Sequence, residues 1–271
     1  TINAIAQGED GKLIDPFNGQ EDIDNHILRH VSDAFSEDPL RVLRVARFRA
    51  SFGDIEIGQE FKVHPKTMQK INEIVESGEL EYLTPERIWL EFYKTNNIYR
   101  FCEFLYEIKV LDKLLPGCVP FSKFEPDEFD NEHKIKNISY FIHKYVNDID
   151  VFCESLKVPN EYKDLAVLLN NCAEDYMFFN LSSPDASNKL LLLIKKLDVR
   201  KKERLSWFFN IMHSFEENSN ELIEIIVTKI QSYKLKKEDQ KKSNSEIQNI
   251  VENAHKEIVQ EYIQDFLNQS N

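Results

Sequence analysis

The sequence predicts a mainly α-helical chain, and three observations carry that prediction. Glycine is scarce, at 7 of 271 residues, while Lys, Glu, Asn, Ile and Leu are common, a balance that favours helix. From about residue 36 onward, apolar residues recur at helical spacing in segments separated by turn residues. Only residues 1–22 depart from that pattern. At 42% hydrophobic and 11% aromatic residues the chain can bury a substantial core, in one large domain or two to three small ones.

Taken in order, INAIA at 2–6, the turn-like QGEDGK at 7–12 and LIDPFNG at 13–19 read as two short extended pieces around a loop containing Asp10-Gly11. Asp38-Pro39 opens the first helix: Pro39 brings the preset φ of a first turn, and Asp38 or Ser36 can cap it. Leu40, Val42, Leu43, Val45, Ala46 and Phe48 cover more than half its circumference, so this helix is expected to be largely buried. TPERIWLEFYK at 84–94 starts in the same way, with Thr84 as cap, Pro85 in the first turn and Glu86 at the positive end of the dipole. Arg87 and Glu91 stand one turn apart and can pair.

Further helices are expected at 66–76, 99–109, 160–171, 186–197, 201–215, 219–232 and 245–267. Pro116, Pro120 and Pro126 punctuate an irregular stretch from 116 to 135. The Lys- and Ser-rich 234–245 segment reads as a loop before a last helix. No internal repeat is visible.

No stretch reaches the length of a membrane span, and no signal peptide precedes the first motif, so no membrane partner is expected. The chain begins with Thr rather than Met, and Thr1-Ile2-Asn3-Ala4 reads like the middle of a domain. Cys102, Cys118, Cys153 and Cys172 are scattered with no C-x-x-C pair, as expected for reduced, buried thiols of a cytoplasmic protein. The formal net charge of −13 argues against non-specific coating of nucleic acid but leaves room for local basic surfaces. KKLDVRKKER at 195–204 is one candidate, with Lys195, Lys196, Arg200, Lys201, Lys202 and Arg204; KLKKEDQKK at 234–242 is another. A solvated face or linker explains the first equally well and the second better.

EDPLRVLRVARF at 37–48 carries the most pointed pattern. Asp38, Arg41, Arg44 and Arg47 fall three residues apart, each about 4.5 Å further along the axis and about 60° round from the last. A carboxylate accepts hydrogen bonds and a guanidinium donates them. Cytosine and adenine both present an amino donor beside a ring-nitrogen acceptor, and uracil and guanine present the reverse. Asp38 with Arg41 can therefore accept C and A while leaving U and G with like facing like, a costly mismatch in a desolvated site. Arg44 and Arg47 then suit the phosphates of the same nucleotide. An i,i+3 salt bridge with two solvated arginines explains the spacing by itself, at a few tenths of a kcal/mol.

The flanking residues add a resemblance. TINAIA at 1–6, LIDPFNGQEDI at 13–23, ILRHVSDAFSEDPLRVLRVARF at 27–48 and TPERIWLEF at 84–92 resemble, in this order and spacing, successive motifs of bacterial class II CCA-adding tRNA nucleotidyltransferases, the group that includes bacterial poly(A) polymerases. The likeness is strong to about residue 115. Beyond it, LKVPNEYKDLAVLL at 156–169 and the final helix still resemble the body and tail.

The resemblance implies a short β-like remnant of an α/β head at 1–35, a helical neck at 36–98, a body at 99–190 and a tail at 191–271. It implies that Asp38 and Arg41 form the template for incoming CTP or ATP, that Arg44 and Arg47 contact the nucleotide, and that Glu37 and Asp15 support them. The family's Mg2+ ligands belong to the head and are not among these residues, so the implied chain selects nucleotide and grips tRNA but is inactive without a head in cis or on a separate chain. The basic run at 195–204 and the last helix are candidates for the tRNA backbone. His133 and His143 are too isolated for a metal site, and no His-Asp doublet marks a phosphohydrolase. The alternatives are a fragment of a poly(A) polymerase and a non-catalytic helical RNA-binding or adaptor protein.

Overall fold

The computed structural model describes residues 1–54, 59–124, 133–215 and 221–269, and they are mainly helical, as expected. They fall into two compact units, Thr1–Lys163 and Asp164–Asn271.

The first unit opens with the two extended pieces. Strands β1 (Ala6–Gln7) and β2 (Leu13–Ile14) pair antiparallel, with Ala6 opposite Ile14. Gly11 takes φ +79 in the loop between them, a conformation that glycine adopts without steric cost. A short helix α1 (Gly19–Asp24) follows, and then β3 (Ile27–Leu28). Next comes a 3₁₀ turn, Asp33–Glu37, and the helix that the stripe predicts, α2 (Leu40–Ser51). Val42, Leu43 and Ala46 are completely buried, and α2 packs against two later helices, α4 (Pro85–Lys94) and α5 (Ile98–Glu107).

Four helices differ from expectation: α1, α6 (Leu111–Leu114), α7 (Lys134–Tyr145) and α8 (Ile149–Leu156) occupy stretches with no predicted element. The expected irregular stretch holds a lone antiparallel bridge, Cys118 to Val146, and a 3₁₀ turn at Phe121–Lys123; residues 125–132 lie outside the described residues. Two strand pairs also interrupt the helical pattern. Strand β3 runs parallel to β6 (Lys62–Val63), and β4 (Gly53–Asp54) lies antiparallel to β5 (Gln59–Glu60). The β3–β6 pair leads into α3 (Pro65–Ser77), which Gly78 ends at φ +77. Phe92, Phe101, Phe141 and Phe152, from four different helices, meet in the core, with ring centroids 5.4–6.4 Å apart.

Thr84 stands at the N-cap of α4 but makes no side-chain cap bond. Its carbonyl accepts the Arg87 and Ile88 N–H groups, and Pro85 supplies the first turn. Asp38 does cap α2, accepting the Leu40 N–H at 3.1 Å, whereas the buried Ser36 hydroxyl has no partner. His133 stands at the N-cap position of α7 without a side-chain cap bond, and His143 lies in its last turn.

Helix α9 (Asn160–Met177) begins in the first unit and continues in the second, which also contains α10 (Ala186–Leu197), α11 (Lys202–Phe215), α12 (Glu221–Ser232) and α13 (Asn244–Gln269). The core of this unit includes Leu190, Phe208, Ile223, Ile226 and Val259. Ser243 and Glu246 form a capping box at the start of α13: the Ser243 N–H donates to Glu246 Oε2 at 2.9 Å, and the Glu246 N–H donates to Ser243 Oγ at 3.4 Å. All four cysteines are free thiols. Burial pushes Cys118 up to about 12 and Cys153 and Cys172 to about 11. No described helix is long and apolar enough to cross a membrane.

Candidate nucleotide-binding site

Residues around 15–30 lead into the site, and of them Leu28, Arg29 and His30 line its cleft. The Asp15 carboxylate caps α1, accepting the Gly19 N–H at 2.7 Å and the Gln20 N–H at 2.8 Å; these bonds hold it below the usual carboxylate range. Asn18 takes the left-handed conformation just before. Gly19 then passes so close to the first residues that a Cβ would lie 2.8 Å from both Ile5 Cγ1 and the Thr1 carbonyl oxygen. Three residues on, Asp22 is buried and holds Arg29 through Nη2 at 2.9 Å and Nε at 3.1 Å, and it accepts the Thr1 hydroxyl at 2.5 Å. Burial pushes the Asp22 carboxyl up, but these hydrogen bonds and the Arg29 charge outweigh it and leave the group below its ordinary value.

The cleft has a volume of about 310 Å³, at the small end of ligand pockets, which run to roughly 300–1,000 Å³. Its lining includes Asn3, Arg29, His30 and Phe35 together with Arg41 and Arg44 of α2, but not Asp38 or Arg47. The His30 backbone N–H donates to the Thr67 hydroxyl at 3.0 Å, and its ring Nδ1 lies 2.7 Å from the same oxygen. Burial, reinforced by the Lys70 charge, lowers the His30 pKa.

Three of the four stripe residues have separate hydrogen-bond partners. Arg41 donates to the Ala34 carbonyl, which turns its guanidinium back over the 3₁₀ turn. Asp38 is paired with Arg87 of α4, whose Nη2 lies 2.9 Å from Oδ1 and 3.2 Å from Oδ2. Arg47 donates through Nε to Glu91 of α4 at 2.6 Å, and its guanidinium lies 4.4 Å from the Phe48 ring centre. Arg44 is exposed, lies 5.9 Å from the same ring, and has no ion-pair partner among the described residues.

Two expectations therefore meet a different geometry. Arg87 and Glu91 do not pair along their own helix; each reaches across to α2. Arg47, expected beside Arg44 at a phosphate, is tied by its Nε to a carboxylate that is only 5% exposed. Glu37 is exposed at the end of its turn and makes no bond to Arg41. Sequence reasoning missed Arg29 and His30 as cleft residues, although both stand in the ILRHVSDAF stretch that carries the resemblance.

In the second unit, Lys195, Arg200, Lys202 and Lys256 line a groove between α10 and α13. Lys196 is paired with Asp175 at 2.6 Å, Arg200 with Asp198 at 2.7 Å and Lys201 with Asp164 at 3.2 Å, and Arg204 donates to the Leu197 carbonyl at 2.9 Å. Among the described residues, no three His, Cys, Asp or Glu side chains gather as a metal site. The residues described do not fit a Mg2+ centre.

Known proteins with related sequences decide the family. The chain is 36% identical over 251 residues to the multifunctional CCA protein of Aliivibrio salmonicida, a match covering 76% of this chain and 60% of that protein. It is 34% identical over 261 residues to the CCA-adding enzyme of Coxiella burnetii, covering 91% of this chain and 66% of that enzyme. The chain belongs to the CCA-adding enzyme family. It spans 60–66% of the length of these curated relatives. No family model matches it.

Members of the family with solved structures share the fold. A Thermotoga maritima CCA-adding enzyme complexed with tRNA-CCA superimposes with a TM-score of 0.61 at 18% identity, covering 98% of this chain and 72% of that one. A CCA-adding enzyme in complex with ATP gives 0.62 at 18% identity, covering 98% and 69%. At that identity the likeness is one of fold.

Proposed function

We propose that this chain is the nucleotide-selecting and tRNA-binding portion of an enzyme that adds CCA to tRNA 3′ ends from CTP and ATP. The observation that carries the reading is the cleft itself: Arg41, one turn beyond the Asp38 carboxylate at the helix start, and Arg44, a further turn on and without an ion-pair partner among the described residues, both line it. Asp38 accepts from the exocyclic amino group of C or A, and Arg41 donates to the adjoining ring nitrogen once its guanidinium leaves the Ala34 carbonyl. Arg44 faces the phosphates. The open cations of the second unit meet the tRNA backbone. In this reading the chain recognises its substrates, and bond formation belongs to the Mg2+ centre of a head domain.

Equilibrium binding of the four nucleoside triphosphates tests it. CTP and ATP are expected to bind more tightly than UTP and GTP, and Arg41→Ala to erase that preference. Replacing Arg44 by Ala should weaken all four alike, by about tenfold for one charge-assisted contact. Equal affinity for all four in the unaltered protein would sink the reading and favour a helical RNA-binding protein without base selection.

A further inference from the structure

Arg87 stands outside the stripe, on α4, yet it is the side chain that holds the stripe's carboxylate. Its Nη2 donates to both Asp38 oxygens, at 2.9 Å and 3.2 Å, and Oδ1 accepts the Leu40 N–H as well. A carboxylate offers about four acceptor directions, two on each oxygen. Arg87 and the backbone take both directions on Oδ1, and Arg87 takes one on Oδ2. A single direction, on Oδ2, remains for an outside donor.

Without Arg87, only the Leu40 contact would restrain the carboxylate. The terminal torsion of Asp is broad and two-fold, so the oxygens would exchange and the remaining acceptor direction would no longer be fixed. The helix that carries Arg87 is itself anchored to α2 one turn further on, where Glu91 holds Arg47. Arg87 thus reaches Asp38 from a base fixed to the same helix that carries Arg41 and Arg44.

We propose that Arg87 is a positioning residue for base selection, fixing the Asp38 carboxylate so that one acceptor direction on Oδ2 meets the amino group of the incoming base. The proposal rests on the reading of Asp38 and Arg41 as the base-selecting pair. It assigns to α4 a share in discrimination without contact to the nucleotide.

The test compares the Kd for CTP and for UTP in the native protein and in Arg87→Ala, Arg87→Lys, Asp38→Ala and the Arg87→Ala/Asp38→Ala double variant, with thermal melts to verify folding. Arg87→Ala is expected to lower the CTP preference about tenfold, or about 1.4 kcal/mol. The lysine variant, which keeps a cation near Asp38, should restore most of it. The double variant should discriminate no worse than Asp38→Ala, because the two residues act as one. Loss of preference in Asp38→Ala with full preference in Arg87→Ala overturns the proposal and leaves the base-selecting reading standing. Full preference in both variants overturns that reading, and this proposal with it. A uniform weakening of CTP and UTP in Arg87→Ala, with the ratio unchanged, marks Arg87 as merely structural and also overturns the proposal.

Discussion

Asp15, Gly19 and Asp22 meet three different physical requirements within eight residues. Asp15 satisfies the first orphan N–H groups of α1, and Gly19 allows an approach that a Cβ at 2.8 Å from a backbone oxygen would forbid. Asp22 places a charge in a buried position and must therefore be paired. Its pairing has a pH signature. The folded-state pKa lies below the ordinary value of 3.8, so the stabilisation is fully present above that pH and is lost as pH falls through the folded value. Asp22→Asn removes the charge but keeps the shape. Because Arg29 is partly exposed and stays partly solvated, the loss at pH 7 should be about 2 kcal/mol rather than the larger cost of a fully buried orphan. Urea unfolding of both proteins at pH 7 and again below pH 4 measures it, and the gap between them should shrink in acid.

Among elements, the α2–α4 pair ties fold to site. Arg47 and Glu91 form an ion pair whose side chains are 19% and 6% exposed, and breaking it strands one charge in a largely dry interface. Glu91→Ala should therefore cost about 3 kcal/mol, seen as a lower denaturant midpoint. Arg47→Met with Glu91→Leu should recover most of that loss, since an apolar pair of similar volume no longer has a charge to desolvate. An undiminished loss in the double variant would show that the interface depends on the charges rather than on their mutual compensation. What the sequence reveals at this scale follows from periodicity. The boundaries of α10 match the expected 186–197 because its apolar face repeats regularly between turn residues. The partners of Arg87 and Glu91 were not legible, because spacing along one helix does not encode which helix packs beside it. Helix α7 was not legible for another reason: its polar residues Lys136, Asn137 and Ser139 are buried along with the apolar ones, so polarity does not mark which side faces the core. Strands β3 and β6, two residues each, are too short to carry any period.

For the whole molecule, a net charge of −13 sets the terms on which a polyanion can bind. Attraction must come from cations not already neutralised by neighbouring carboxylates, and the run at 195–204 is less basic in three dimensions than in sequence. Lys196, Arg200 and Lys201 each face an aspartate, while Lys195 and Lys202 have no ion-pair partner among the described residues and share a groove with Lys256. Each phosphate contact contributes about −0.9 to the slope of log K against log salt. Binding through these open lysines alone predicts a slope of about −2 to −3, whereas all six basic residues of the run acting together would give about −5. Titrating tRNA at several salt concentrations distinguishes the two cases. Lys195→Ala should reduce the slope by about one and weaken every tRNA alike, since a phosphate contact carries no sequence information. The same slope in Lys195→Ala and the unaltered protein would remove this lysine from the interface. A slope near −5 would mean that the aspartate partners release their lysines and arginines to the RNA, so that binding exchanges internal ion pairs for external ones.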